Sequence, residues 1–128
     1  VSDNLTDAAE SRVLNWITGN TTTAPTLPLK MRLMTANGSD SAAGTEVTGG
    51  SYAPVSVTVN AASGGGAVTI SADAVFAGMP AATVTGVEIW DSAGTPFRWL
   101  YGALTANKTT GAGDDLKIAT TDFSLSIG

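Results

Sequence analysis

The feature that most constrains this chain is a change of hydrophobic period near Pro28. Beyond it, apolar residues return at every second position, in short runs broken by Gly, Pro and Asp. In Leu29-Lys30-Met31-Arg32-Leu33 the apolar side chains point one way and the basic ones the other, the pattern of a half-buried strand. Val55, Val57 and Val59 alternate with Ser56, Thr58 and Asn60, and Ala67–Ser71 alternates again after a Gly64-Gly65-Gly66 turn. Val87-Glu88-Ile89-Trp90 and Phe97-Arg98-Trp99-Leu100-Tyr101 flank Asp91-Ser92-Ala93-Gly94, whose turn chemistry predicts a hairpin. Leu116–Ala119 and Phe123-Ser124-Leu125-Ser126-Ile127, separated by Thr120–Asp122, complete the set. Seven or eight short strands with such turns predict a mainly β fold, an antiparallel β-sandwich or barrel-like arrangement, with one N-terminal helix.

The helix lies before the change of period. Leu5, Ala8, Ala9, Val13, Trp16 and Ile17 recur at helical spacing, while Asp7, Glu10, Arg12 and Asn15 occupy other faces. Ser2 or Asp3 is placed to cap its first amides, and Gly19 with Asn20 to stop it. Trp16 then either anchors the helix on a sheet or docks it on another subunit. Thr21–Pro28 is a stiff connector, and Ala36–Ala43, with Asn37-Gly38, a polar loop. At 128 residues the expectation is a single domain over 1–128, with a helical region at 1–20 and the β-sandwich at 29–128. A chain of this size buries about two thirds of its surface on folding, enough for a core. It carries no repeat of fixed period and no heptads, so a long fibre shaft is not encoded.

Composition narrows the chemistry. Without Cys there is no disulfide scaffold, thiolate metal site or Cys nucleophile. Without His, most zinc sites, the Ser-His-Asp triad and the commonest general base are lost. Only 13% of residues are charged, while Ala, Thr, Gly and Ser make up half the chain. Its surface must therefore be largely neutral, better suited to close packing against neighbours than to long-range steering. A net charge of −5 and six scattered basic residues argue against nucleic acid. No apolar run approaches a membrane span, and VSDNLTDAAE is unlike a secretory signal. The expectation is a soluble protein with no membrane partner.

Carboxylates are the only plentiful acid–base groups, so Glu88, Asp91, Asp114, Asp115 and Asp122 are the candidates for a glycosidase-like pair or a calcium site. Asp91 begins a turn, Asp114-Asp115 lie in a Gly-rich loop, and Glu88 alternates with apolar neighbours and is expected to face solvent. No EF-hand spacing occurs, and neither Gly64-Gly65-Gly66 nor Gly111-Ala112-Gly113 reads as a phosphate cradle. Four sequons, at Asn4, Asn20, Asn37 and Asn107, barely exceed chance. The reading is no enzyme, no cofactor and no metal. Strict alternation puts Phe97, Trp99 and Tyr101 on one face and Arg98 with Leu100 on the other. Such a row is core, a subunit interface or, with Trp90, a stacking platform for sugars.

Three stretches together resemble a family of small tailed-bacteriophage structural proteins of the tail-fibre, minor tail or head-decoration type. Gly44-Thr45-Glu46-Val47-Thr48-Gly49-Gly50-Ser51-Tyr52-Ala53 resembles its GTEV-GG-YAR segment. Val87-Glu88-Ile89-Trp90-Asp91 with Leu100-Tyr101-Gly102-Ala103-Leu104 resembles its hairpin, and Lys108, Gly113-Asp114 and Phe123-Ser124-Leu125-Ser126-Ile127 its ending. Pro54 stands where Arg is expected and Trp90 where Phe is usual; a Pro there suits the beginning or edge of a strand. The resemblance implies a non-enzymatic, homo-oligomeric virion protein on the exterior of head or tail, soluble in the host cytoplasm before assembly. Its partners would be the major capsid protein or tail and fibre components. Together with the neutral surface it favours a capsid decoration (cement) protein, then a tail-fibre or baseplate-associated protein. A carbohydrate- or receptor-binding module is the rival from another class. Trp16, Tyr52 and Pro54 are the candidate interface residues.

Overall fold

The computed structural model describes residues 4–20, 23–62 and 64–126. Helix α1 spans Asp7–Ile17. Its N-cap is Thr6, whose hydroxyl oxygen accepts from the Ala9 amide at 3.1 Å. The cap is thus later than Ser2 or Asp3, which lie outside the described residues. Leu5 belongs not to the helix but to a bridge with Leu100. Gly19, at φ +78°, ends the helical region as expected.

Nine strands follow among the described residues, two more than the seven runs the alternation picks out: β1 Leu29–Ala36, β2 Thr45–Glu46, β3 Val55–Val57, β4 Ala67–Thr69, β5 Ala74–Met79, β6 Ala82–Trp90, β7 Arg98–Thr110, β8 Asp114–Ile118 and β9 Ser124–Ser126. Of the last run, Ile127 lies outside the described residues. All described pairings are antiparallel. The main sheet runs β2-β1-β6-β7, with β3 beside β2 on the same outer edge of β1. There β3 takes Leu29–Met31 and β2 takes Met34–Ala36. Two-stranded ladders β5-β8 and β4-β9 supply the opposing layer of a sandwich-like fold.

Met31, Leu33, Val87 and Ile89 of the main sheet meet Phe76, Met79, Leu116, Ile118 and Leu125 of the ladders in one buried cluster. The expected hairpin is present as β6–β7. Its edge is closed by the N-terminal segment: the Thr6 amide donates to the Trp99 carbonyl and the Tyr101 amide to that of Asn4. The Asn4 side chain donates to the Tyr101 carbonyl and accepts from the Ser126 amide, tying the chain's beginning to β7 and β9.

Two expectations about facing are corrected. Glu88 does alternate with Val87 and Ile89, but the opposite face of the sheet is roofed by the 37–44 loop, so Glu88 is only 1% exposed. Strict alternation also fails along β7. Ile89 pairs with Leu100 and Trp90 with Arg98, which leaves Trp99 as an extra residue in a β-bulge. The bulge shifts the phase, so Arg98 and Tyr101 lie on one face, opposite Trp90 and Glu88, and Leu100 lies opposite Ile89.

Candidate interaction site

Three places concentrate unusual side chains. The first is the overhang of α1. Its inward side is set by Ala9, the helix's only buried residue. Val13 and Trp16 follow at spacings of four and three and so continue that side beyond the sheet. Trp16 is therefore 64% exposed rather than an anchor on the sheet, and Leu14 and Ile17 are 62% and 68% exposed. Beneath the helix, Arg12, Val13, Trp16, Thr23, Ala24, Pro25 and Trp99 line an open cleft of about 240 Å³. The floor is rigid. The Arg12 guanidinium lies 3.6 Å from the centroid of Phe97, which packs at 4.7 Å against the buried Trp99.

The second place is the polar layer above the sheet. The Glu88 carboxylate accepts from the Gly44 amide at 2.8 Å, from Trp90 Nε1 at 3.0 Å and from Arg98 at 3.3 Å. Arg98 also donates to the carbonyl of Ser39 at 2.6 Å, and the Tyr101 hydroxyl donates to Asp40. These contacts pin the 37–44 loop to the sheet. Arg32 lies 4.1 Å from the Trp90 ring centroid.

The third is Tyr52. Its ring stacks on Phe76 at 6.0 Å, and its hydroxyl accepts from the Leu33 amide at 3.0 Å while donating to Glu46 at 2.7 Å. Burial, then the bond to Glu46, pushes its pKa upward. Pro54 immediately precedes β3, a position that needs no ladder donor from it. Thus Tyr52 is tied into the core and Pro54 sits half-buried at the head of an edge strand, while Trp16 is outermost. The structure places Trp16 and Tyr52 in separate surroundings and does not join them into one patch.

The remaining carboxylates hold turns. Burial raises the Asp91 carboxyl, but hydrogen bonds from the Phe97 and Thr26 amides, the Trp99 indole and the Ala93 amide outweigh it and keep it below the ordinary value. The Ala119 amide, against a smaller effect of burial and aided by Lys108, does the same for Asp122. Asp114 accepts from the Gly111 amide and Asp115 from that of Gly78. Each candidate for paired acid–base chemistry therefore has a structural partner. Among the described residues no cluster of three or more ligating side chains could hold a metal ion. No described helix is long and apolar enough to cross a membrane.

Alternation misses the overhang because it finds the amphipathic face but not where the supporting sheet ends. The signal is quantitative: an 11-residue helix about 16 Å long extends past a sheet edge to which its N-cap, Thr6, is hydrogen-bonded. The model of a family described as podophage GP4 fiber I protein gp80 matches residues 4–126, from the N-terminal segment that borders β7 to the end of β9. No curated protein matches the chain.

Proposed function

The chain belongs to the family of the podophage GP4 fiber I protein gp80, and on that premise we propose that it is a non-enzymatic fibre component on the exterior of a tailed-phage virion. The observation that carries this reading is the extent of the match, which takes in α1, both layers of the sandwich and the closing strand. A low-charge surface of Thr, Ala, Ser and Gly supports it, because docking such a surface costs little desolvation. Trp16 is the residue assigned to contact. Tyr52 and Pro54 support the β2–β3 edge from beneath and beside it.

The same neutral surface suits a head-decoration protein, but the family description weighs toward a fibre. Its partners are then other tail or fibre components rather than the capsid lattice. A sugar-binding role through Trp90 or Trp99 has less support: Trp99 is buried and Trp90 carries Arg32 against its ring. Quantitative mass spectrometry of purified virions, referenced to the major capsid protein and combined with antibody labelling in electron micrographs, tests the proposal. A few to a few dozen copies with label at the tail is the expected result. Hundreds of copies over the head would replace it with decoration, and absence from particles would overturn the virion reading.

A further inference from the structure

We propose that Asn37 is a site of spontaneous modification: it closes with Gly38 to a succinimide, opens to aspartate and isoaspartate, and so releases the 37–44 loop from the sheet. The proposal does not depend on the fibre assignment. Of the chain's six Asn residues only Asn37 is followed by Gly. Without a Cβ on the next residue, the backbone nitrogen reaches the Asn side chain with least obstruction. The fold requires that Gly. A Cβ on Gly38 would lie 2.5 Å from Glu88 Oε2, 2.7 Å from the Gly44 nitrogen and 2.8 Å from the Ala42 carbonyl oxygen. The reactive pair is therefore built into the packing of the loop on Glu88.

Three features of the site favour the reaction. Asn37 is the first residue past β1 and is exposed, so water reaches it. The Thr85 hydroxyl on β6 donates to Asn37 Oδ1 at 2.8 Å, while its other acceptor, the Met34 carbonyl, is 3.5 Å away. That bond polarises the side-chain carbonyl and meets the negative charge that gathers on Oδ1 during attack. The Gly38 amide, the nucleophile, donates to no acceptor among the described residues, so no protein hydrogen bond must break first. Its nitrogen gives its proton to hydroxide and bonds to Asn37 Cγ. The bond from Cγ to the side-chain nitrogen breaks, and that nitrogen leaves as ammonia. Water then opens the ring at either carbonyl, and no oxidant or cofactor is needed. Asn4 shows the contrast: its carboxamide is bonded on both sides, to the Tyr101 carbonyl and the Ser126 amide, and Leu follows it. Isoaspartate lengthens the main chain by one carbon at the entry to the loop. Either product adds a negative charge one residue from Gly38, where the buried Glu88 already has Arg98 as its cation.

Peptide mass spectrometry of the full, folded chain aged in mildly alkaline, heavy-oxygen water tests this. Asn37 should lose ammonia and gain one labelled oxygen roughly ten-fold or more faster than any other Asn. Thr85→Val should slow the reaction several-fold while the circular dichroism stays that of the parent. Asn37→Gln, whose longer side chain must close a larger ring, should stay intact. Hydrogen exchange reads the release of the loop. The Ser39, Ala42 and Gly44 amides, each hydrogen-bonded in the unmodified loop, should exchange faster in the aged parent than in the fresh one, and no faster in aged Asn37→Gln. An Asn37 that stays intact in the folded chain and reacts only in urea overturns the proposal, because the clamp on Gly38 would then forbid ring closure. So does an Asn37 that reacts no faster than the other five, or a modified loop whose amides exchange as slowly as before.

Discussion

Glu88 and Tyr52 show how single side chains hold elements that have little core of their own. The 37–44 loop contributes no member of the buried apolar cluster, and is held by hydrogen bonds to Glu88, Arg98 and Tyr101. Removing Arg98 leaves a carboxylate that is almost wholly buried with two neutral donors and no cation. Arg98→Met should therefore cost about 3 kcal/mol, read as a lower urea midpoint, while Glu88→Gln should cost less, because its amide oxygen in the place of Oε2 still accepts from the Gly44 amide and Arg98, and only the Trp90 indole loses its acceptor. Equal losses in the two variants would mean that the ion pair is not what matters. For Tyr52, the phenol supplies the acceptor for the Leu33 amide on β1. Tyr52→Phe keeps the stack on Phe76 and orphans that amide, for an expected loss of about 1–2 kcal/mol. An unchanged urea midpoint would show that water replaces the hydroxyl.

Among the elements, α1 is the one whose attachment is most local. Thr6 joins it to the sheet twice, through its amide to Trp99 and its hydroxyl to the Arg98 carbonyl at 2.9 Å, and the same hydroxyl oxygen caps the helix. Thr6→Ala should cost about 1 kcal/mol locally. Hydrogen exchange should accelerate in the α1 amides and remain slow in β1, β6 and β7, because only Ala9 of the helix is buried. Equal acceleration in the sheet would mean that α1 is part of the cooperative unit. A strand bulge carries the opposite kind of constraint. Gly78, at φ +64°, holds the β5 bulge where an added Cβ would sit 2.9 Å from Ser51, so Gly78→Ala should destabilise the whole fold.

These elements also show what could be read from the chain. β1, β3 and the β6–β7 hairpin were legible because apolar and polar residues alternate visibly there. β5 was not, since Ala74-Val75-Phe76-Ala77 is apolar on both faces and offers no contrast of period two, although Phe76 is core and Val75 is exposed. The length of β7 was hidden by its second half, Thr105–Thr110, whose mostly polar residues look like loop; Lys108–Thr110 pair with β6 only beyond a shift of register at Val84–Gly86. The bulge at Trp99 was hidden for a different reason. One extra residue changes the phase of a strand without changing its composition, so the facing of Arg98, Leu100 and Tyr101 depends on the partner strand. In the candidate site, the helical face with Trp16 was legible, and the sheet's failure to cover it was not.

At the scale of the molecule, the missing residue types set how stability responds to pH. With no His and no Cys, no side chain has an ordinary pKa between the carboxylates and the phenols, so the midrange should be flat. The two limbs have different owners. Asp91 and Asp122 have folded pKa values below the ordinary 3.8. Their contribution is complete above the unfolded value and is lost as pH falls through the folded one. Asp91 closes the β6–β7 turn and Asp122 the turn between β8 and β9, so acid loosens both layers of the sandwich together. Tyr52 has the opposite sign. Its folded pKa lies above the ordinary 10.0, so its contribution is complete below that value and is lost as pH rises through the folded one. Urea midpoints measured across the pH range should therefore form a plateau with an acid limb that Asp91→Asn makes shallower and an alkaline limb that Tyr52→Phe makes shallower. Both variants should lower the plateau itself, since each removes a satisfied buried contact. An acid limb unchanged in Asp91→Asn would assign acid sensitivity to the exposed carboxylates and their mutual repulsion, and would detach the stability of the sandwich from the hydrogen bonds that close its turns.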